Sequence, residues 1–152
     1  KIIIDLRSNS GGLLDETIEV ASYFIPENQV VLKEKTKNEE KTLRTKAKQE
    51  NLHEYETIVI VDNFSASASE ILAGALRDQK QSKLIGQTTF GKGTVQQIFS
   101  LENNDKLKLT IAQWFTPNGT VIDKAGLEPD ISVNSDQDSL DKAIELIQNG
   151  EL

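Results

Sequence analysis

Two short runs, Ile2–Leu6 (IIIDL) and Thr57–Val61 (TIVIV), constrain the fold most. Each is almost wholly apolar at successive positions, and each is too short for a buried helix. A strand with that pattern needs cover on both faces, as a central strand of a parallel sheet has. Each run opens into a loop of small polar residues, RSNSGG after the first and DNFSAS after the second. Each loop then gives way to helical periodicity. Leu14, Ile18, Ala21 and Ile25 follow the first loop, with Asp15 and Glu16 suited to the positive end of a helix dipole. Ala68, Ile71, Leu72, Ala75 and Leu76 follow the second, on one helical face. A repeated strand–loop–helix unit predicts an α/β fold.

The rest of the chain adds antiparallel pairing. Pro26 lies just past the first helix. Gln29–Thr36 and Lys41–Lys48 read as two polar strands around the turn KNEE, a solvated hairpin, with a flap beside a substrate groove as the alternative. Leu84–Gly86 is a short strand. Thr94–Leu101 and Lys106–Phe115 pair around Asn103-Asn104-Asp105. Thr116–Gly119 is a turn and Ala125–Asp130 a connector. A last helix is expected from near Ser135, with Leu140, Ala143, Ile144 and Ile147 on its apolar face and Gly150 as its stop.

Composition removes several functions. The 152 residues suffice for one domain with a core. Seventeen basic residues against 24 acidic ones give a net charge of −7, and the basic residues are scattered, so binding to a nucleic-acid backbone has little support. No apolar run is long enough for a membrane-crossing helix. The absence of cysteine excludes thiol catalysis and cysteine metal sites. The single histidine, His53 in KQENLHEYE, reads as a surface residue, so neither a histidine zinc site nor a Ser-His pair is expected. The chain starts at Lys1 directly in a core-type strand, and is expected to be a piece of a longer protein.

Chemistry concentrates between Asn63 and Gln97. Ser65 and Ser67 fall where strand passes into helix. A serine there is either an N-cap or a nucleophile surrounded by free backbone N–H groups. No G-x-S-x-G elbow is present. A serine nucleophile needs a base, and with His53 set aside the remaining option is a lysine kept neutral by its surroundings. Lys92 is the candidate, because it stands in FGKGT between two glycines rather than in a polar run. The segment GQTTFGKG also approaches the phosphate-binding pattern G-x-x-x-x-G-K-[ST]. It fails at the last position, where glycine replaces the magnesium-holding hydroxyl, and TVQQIFSL after it is strand-like, so nucleotide binding stays only as a rival.

Together the blocks KIIIDLRSNSGGLL, NFSASASEILAGALRD, GQTTFGKGTVQ, KLTIAQWFTPNGTVID and AGLEPD resemble the carboxyl-terminal processing (tail-specific) proteases, a Ser-Lys serine peptidase family. The blocks occur in the family's order and cover nearly the whole chain. The resemblance implies an α/β, crotonase- and ClpP-like protease core with mixed sheet and flanking helices. Residues 1–152 would be the C-terminal part of the catalytic domain, with a PDZ domain and the first part of the core outside it. It implies a serine endopeptidase cutting proteins near their C-termini, with a non-catalytic scaffold for protein tails or cell-wall components as the alternative. It makes Ser67 the nucleophile, Lys92 the general base 25 positions later and Gln96 its helper. The oxyanion hole would use the amide of Ala68 and that of Gly11 or Gly12. No metal, nucleotide or other cofactor is implied, and no nucleic acid. Partners would be peptide substrates held by an extended C-terminal segment, with a homodimer allowed. The location would be the bacterial cell envelope, anchored or secreted. Asp78 also matches an acidic position of the family, but lies about 16 Å from Ser67 along the same helix, which favours a structural role. On a straight strand Gln96 would lie about 13 Å from Lys92, so the chain must bend for them to meet.

Overall fold

The structure is a computed structural model, and it describes residues 1–133 and 138–151. Four parallel strands form the first sheet in the order β1 (Ile2–Asp5), β4 (Thr57–Val61), β5 (Lys83–Gly86) and β8 (Ile131–Ser132). Four antiparallel strands form the second, in the order β3 (Glu40–Arg44), β2 (Val30–Lys35), β7 (Lys106–Phe115) and β6 (Thr94–Ser100). Three α-helices complete the described residues: α1 (Leu14–Phe24), α2 (Ala68–Lys80) and α3 (Ser139–Asn149). The expected α/β fold with mixed pairing is observed.

Alternation along the parallel strands sorts the core into two layers. Val59, Val61 and Leu84 pack with α1, α2 and Val31, Leu32 and Trp114 of the second sheet. Ile58, Ile60 and Ile85 face the other way and pack with Ala143 and Leu146 of α3. All five residues of β4 are buried, as its apolar run demands, whereas β1, expected to be covered on both faces, is the edge strand of its sheet with Ile2, Ile3 and Ile4 only half-buried. The two helices that begin next to the candidate residues thereby pack on one face of the sheet and open at its carboxyl ends, where α/β folds place their sites.

Several boundaries move. The expected solvated hairpin is only half right, because β3 is largely exposed while β2 is interior to its sheet and buries Val31 and Leu32. The second strand also ends at Arg44 rather than Lys48. Thr45 still pairs through its backbone with Gln29 and Asn28, but the Lys46 amide donates to Ser22 Oγ of α1, 2.9 Å away, and so leaves the ladder. The connector Ala125–Asp130 leads into β8, a two-residue strand too short for periodicity to reveal. The last helix runs from Ser139 and ends at Gly150 in the left-handed conformation, as expected. Its expected start, Ser135, lies outside the described residues.

Candidate active site

The two loops that leave β1 and β4 are fastened to each other. Asp62 accepts from the Ser8 amide through both carboxylate oxygens (3.0 and 3.1 Å), and its Oδ1 also accepts from the amides of Phe64 and Ser65. The Ser65 hydroxyl is fully buried, donates to the Leu6 carbonyl (2.8 Å) and accepts from the Asp62 amide. Ser65 is thus consumed by structure, and the choice between the serines falls to Ser67.

Ser67 stands at the N-cap of α2 with φ 57° and ψ −117°, a backbone state that L-residues avoid and that persists only when neighbours impose it. What imposes it is Glu70. This carboxylate has no solvent exposure and accepts four hydrogen bonds. Its Oε2 takes the Ser67 amide (2.8 Å) and the Lys92 amide (2.9 Å). Its Oε1 takes the Gly91 amide (2.7 Å) and the Thr89 hydroxyl (2.5 Å). Thr89 Oγ1 in turn accepts from the Leu127 amide, 2.7 Å away. One buried side chain therefore holds the backbone of both candidate catalytic residues. Sequence reasoning missed it. The available signal was a glutamate three residues after a helix-opening serine, the carboxylate arm of a capping box.

The glycine-flanked lysine loop has a steric reason. A Cβ on Gly93 would sit 2.2 Å from the Asp123 amide nitrogen, so only glycine lets the two segments touch. The Lys92 side chain itself is exposed. No hydrogen bond joins it to the Ser67 hydroxyl among the described residues. Ser8, Ser10, Phe64, Ala66, Phe90 and Lys92 line one open cleft of about 480 Å³.

On the other flank of Ser67 a smaller cleft of about 170 Å³ is lined by Gly11, Gly12, Ala68 and apolar residues including Leu13 and Leu72. Gly11 has φ 103°, and a Cβ there would lie 2.8 Å from the Ala66 carbonyl oxygen and 2.9 Å from Ser67 Cβ. The Gly11 amide donates to Asn9 Oδ1 at 3.0 Å. The Ala68 and Gly12 amides have no acceptor among the described residues. A Cβ on Gly12 would have open space around it.

Other expected positions fall elsewhere. Gln96 is exposed on β6, opposite Thr110 and beside a register shift at Val95/Gln96, with no hydrogen bond to Lys92. Asp78 accepts from the Asn118 amide (2.9 Å) and tethers the Thr116–Gly119 turn. His53 is not the exposed surface histidine expected. It is half-buried, with a buried Nε2 that lacks a partner among the described residues. Its carbonyl accepts from Lys80 at the far end of α2, about 20 Å of helix from Ser67. Among the described residues no cluster of metal-ligating side chains occurs, and no helix is long and apolar enough to cross a membrane.

With this geometry in place, comparison with known proteins is decisive for kinship. The pattern of Peptidase family S41 matches residues 1–133. This chain belongs to peptidase family S41. Its S41 relatives include a probable CtpA-like serine protease of Staphylococcus haemolyticus (strain JCSC1435), 39% identical over 137 residues, covering 90% of this chain and 28% of the relative. A protein of the same description in Staphylococcus aureus (strain N315) is 38% identical over 136 residues, covering 89% and 27%. The chain thus spans little more than a quarter of the length of the curated relatives it matches. Among solved structures, a photosystem II D1 C-terminal processing protease superposes with a TM-score of 0.80 at 30% identity, covering 87% of this chain and 34% of the other. A lipoprotein from Streptococcus agalactiae gives 0.77 at 21% identity, covering 97% and 54%, a likeness of fold alone.

Proposed function

We propose that this S41 chain carries the nucleophile and the base of a serine endopeptidase that cuts proteins near their C-termini. Ser67 attacks the scissile carbonyl. Neutral Lys92 takes the serine proton and passes it to the departing amine. The Ala68 amide and an amide of Gly11 or Gly12 receive the oxyanion. Gln96 assists Lys92 once β6 bends toward it. No metal or nucleotide takes part. Substrate lies extended along the groove, and its coverage of the exposed Lys92 supplies the desolvation that a neutral lysine requires. The intact protein acts at the bacterial cell envelope.

The observation that carries this reading is the sharing of Glu70 Oε2 between the amides of Ser67 and Lys92. It couples the backbones of two residues 25 positions apart, and no fold-stabilising need requires those two in particular to be serine and lysine. Likeness to a D1 C-terminal processing protease supports the substrate end of the proposal. In the full-length protein, Ser67→Ala and Lys92→Ala should each abolish cleavage of peptides with apolar C-termini while leaving the melting temperature within a few degrees. Turnover retained by Lys92→Ala would refute the base assignment. Residues 1–152 alone should cleave weakly or not at all.

A non-catalytic scaffold for protein tails is the second reading. The exposed Lys92 side chain, with no hydrogen bond to Ser67, favours it. An active-site serine reagent that labels the full-length protein at Ser67 would remove it.

A further inference from the structure

The cleft on the Lys92 side of Ser67 has a feature that proton transfer does not need. Phe64 and Phe90 line it from two different loops, and their exposures are 62% and 63%. Large rings left in water beside a groove mark a binding surface. Their backbones are held: the Phe64 amide donates to Asp62 Oδ1 and the Phe90 amide to the Ser65 carbonyl, both at 3.0 Å. Both backbones are therefore fixed to the network that positions Ser67, which lowers the entropy lost when a ligand seats between the rings. Ala66 contributes only a methyl group to the lining, and the polar groups are Ser8, Ser10 and Lys92. The volume of about 480 Å³ lies in the range of small-ligand clefts.

Resting on the Ser67–Lys92 reading above, we infer that this cleft is a specificity subsite. It takes a bulky apolar side chain, aromatic or branched aliphatic, from the first residue on the leaving-group side of the scissile bond. The side follows from the chemistry. A lysine that protonates the departing amine must lie within hydrogen-bond reach of that nitrogen. The residue bearing that nitrogen thus passes over the cleft that Lys92 lines. The oxyanion amides border the other, smaller cleft, which leaves that cleft to the acyl side.

The test uses the full-length protein and paired peptides identical except for Phe or Gly directly after the cleaved bond. Wild type should prefer Phe by roughly ten- to a hundredfold in kcat/KM, the range for apolar side chains in such pockets. The double variant Phe64→Ala/Phe90→Ala should bring that ratio within about threefold of one. Phe64→Leu/Phe90→Leu, which keeps apolar walls, should retain a preference for Leu over Gly. A ratio unchanged in the alanine variant, or an equal loss on both peptides, would overturn the subsite. A second peptide pair carries Phe or Gly just before the cleaved bond. Its selectivity should persist in the double variant, and its selective loss would put the cleft on the acyl side and overturn the assignment. Failure of the Ser-Lys reading is seen separately, as cleavage that survives Ser67→Ala.

Discussion

The serine end and the lysine end of the site are built differently. At the serine end the side chain is half-buried, the backbone is held at φ 57°, and Gly11 packs against it too closely for any other residue. At the lysine end the backbone is equally fixed, by Glu70 on the Gly91 and Lys92 amides and by the Lys124 and Trp114 amides on the Gly91 and Gly93 carbonyls, yet the side chain is exposed. The contrast separates two kinds of preparation. Backbone position is settled within these residues by buried hydrogen bonds. The environment that would neutralise an amine is not, and on our reading it arrives with substrate. The ribbon of β6 and β7, which begins two residues after Lys92, also leaves Ile98, Phe99, Leu107 and Leu109 more than a third exposed.

The strongest way to break the contrast is to remove what both ends share. Glu70→Ala would orphan four donors, two of them fully buried, and urea denaturation should report a loss of roughly 3–5 kcal/mol. A loss below about 1 kcal/mol would mean that the two loops are held independently. Glu70→Gln, which keeps an acceptor oxygen, should fall between. Gly11→Ala attacks the serine end alone. It places a methyl 2.8 Å from a carbonyl oxygen at an unfavourable φ, and should cost about 1–3 kcal/mol and lower peptide turnover of the full-length protein. Full activity would show that the glycine loop yields freely. Thr89→Val attacks the lysine end by removing the donor to Glu70 and the acceptor of the Leu127 amide. About 1–3 kcal/mol should be lost. Its effect on turnover should exceed that of an equally destabilising core truncation such as Ile71→Val.

The smallest effect concerns the outer support of the loop bearing Gly11. Arg7 pairs with Asp5 (2.8 Å) and with Asp138 at the start of α3 (2.9 Å). The Arg7 hydrogen bond holds the Asp5 carboxyl below the usual carboxylate range, while the Leu140 amide, with help from Arg7, does so for Asp138. Depressed carboxyl values give stability that is complete above the ordinary aspartate pKa near 3.9 and is lost as pH falls through the lower folded values. The melting-temperature gap between wild type and Arg7→Met should therefore be widest near pH 7 and close below about pH 4. A gap that widens on acidification would contradict the pairing.

Much of this was legible beforehand. β4 has its expected bounds, because so apolar a pentapeptide has few alternatives, and β7 has its expected bounds too, although it buries Ala112 and Trp114 and leaves Leu107, Leu109 and Ile111 exposed. The turn at Asp78 fits the structural role argued from helix rise. Three features escaped. β8 has two residues and pairs only because β5 offers an edge. The strand expected to reach Lys48 stops short because the Lys46 amide turns to Ser22 Oγ, while Thr45 still pairs through its backbone with Gln29 and Asn28. Glu70 was passed over because a glutamate in a first helical turn ordinarily serves the helix itself.

The order of short-range events was written in the sequence: which of the longer runs become strands, where helices open, and which lysine stands between glycines. Periodicity and steric preference act over a few neighbours, so one chain suffices to read them. Only the tertiary structure decided that a single carboxylate ties Ser67 to Lys92, that Ser65 is structural, and that two phenylalanines flank the cleft. Those outcomes depend on which distant backbone amides meet in a dry interior, and burial there is a property of the assembled layers rather than of any local segment.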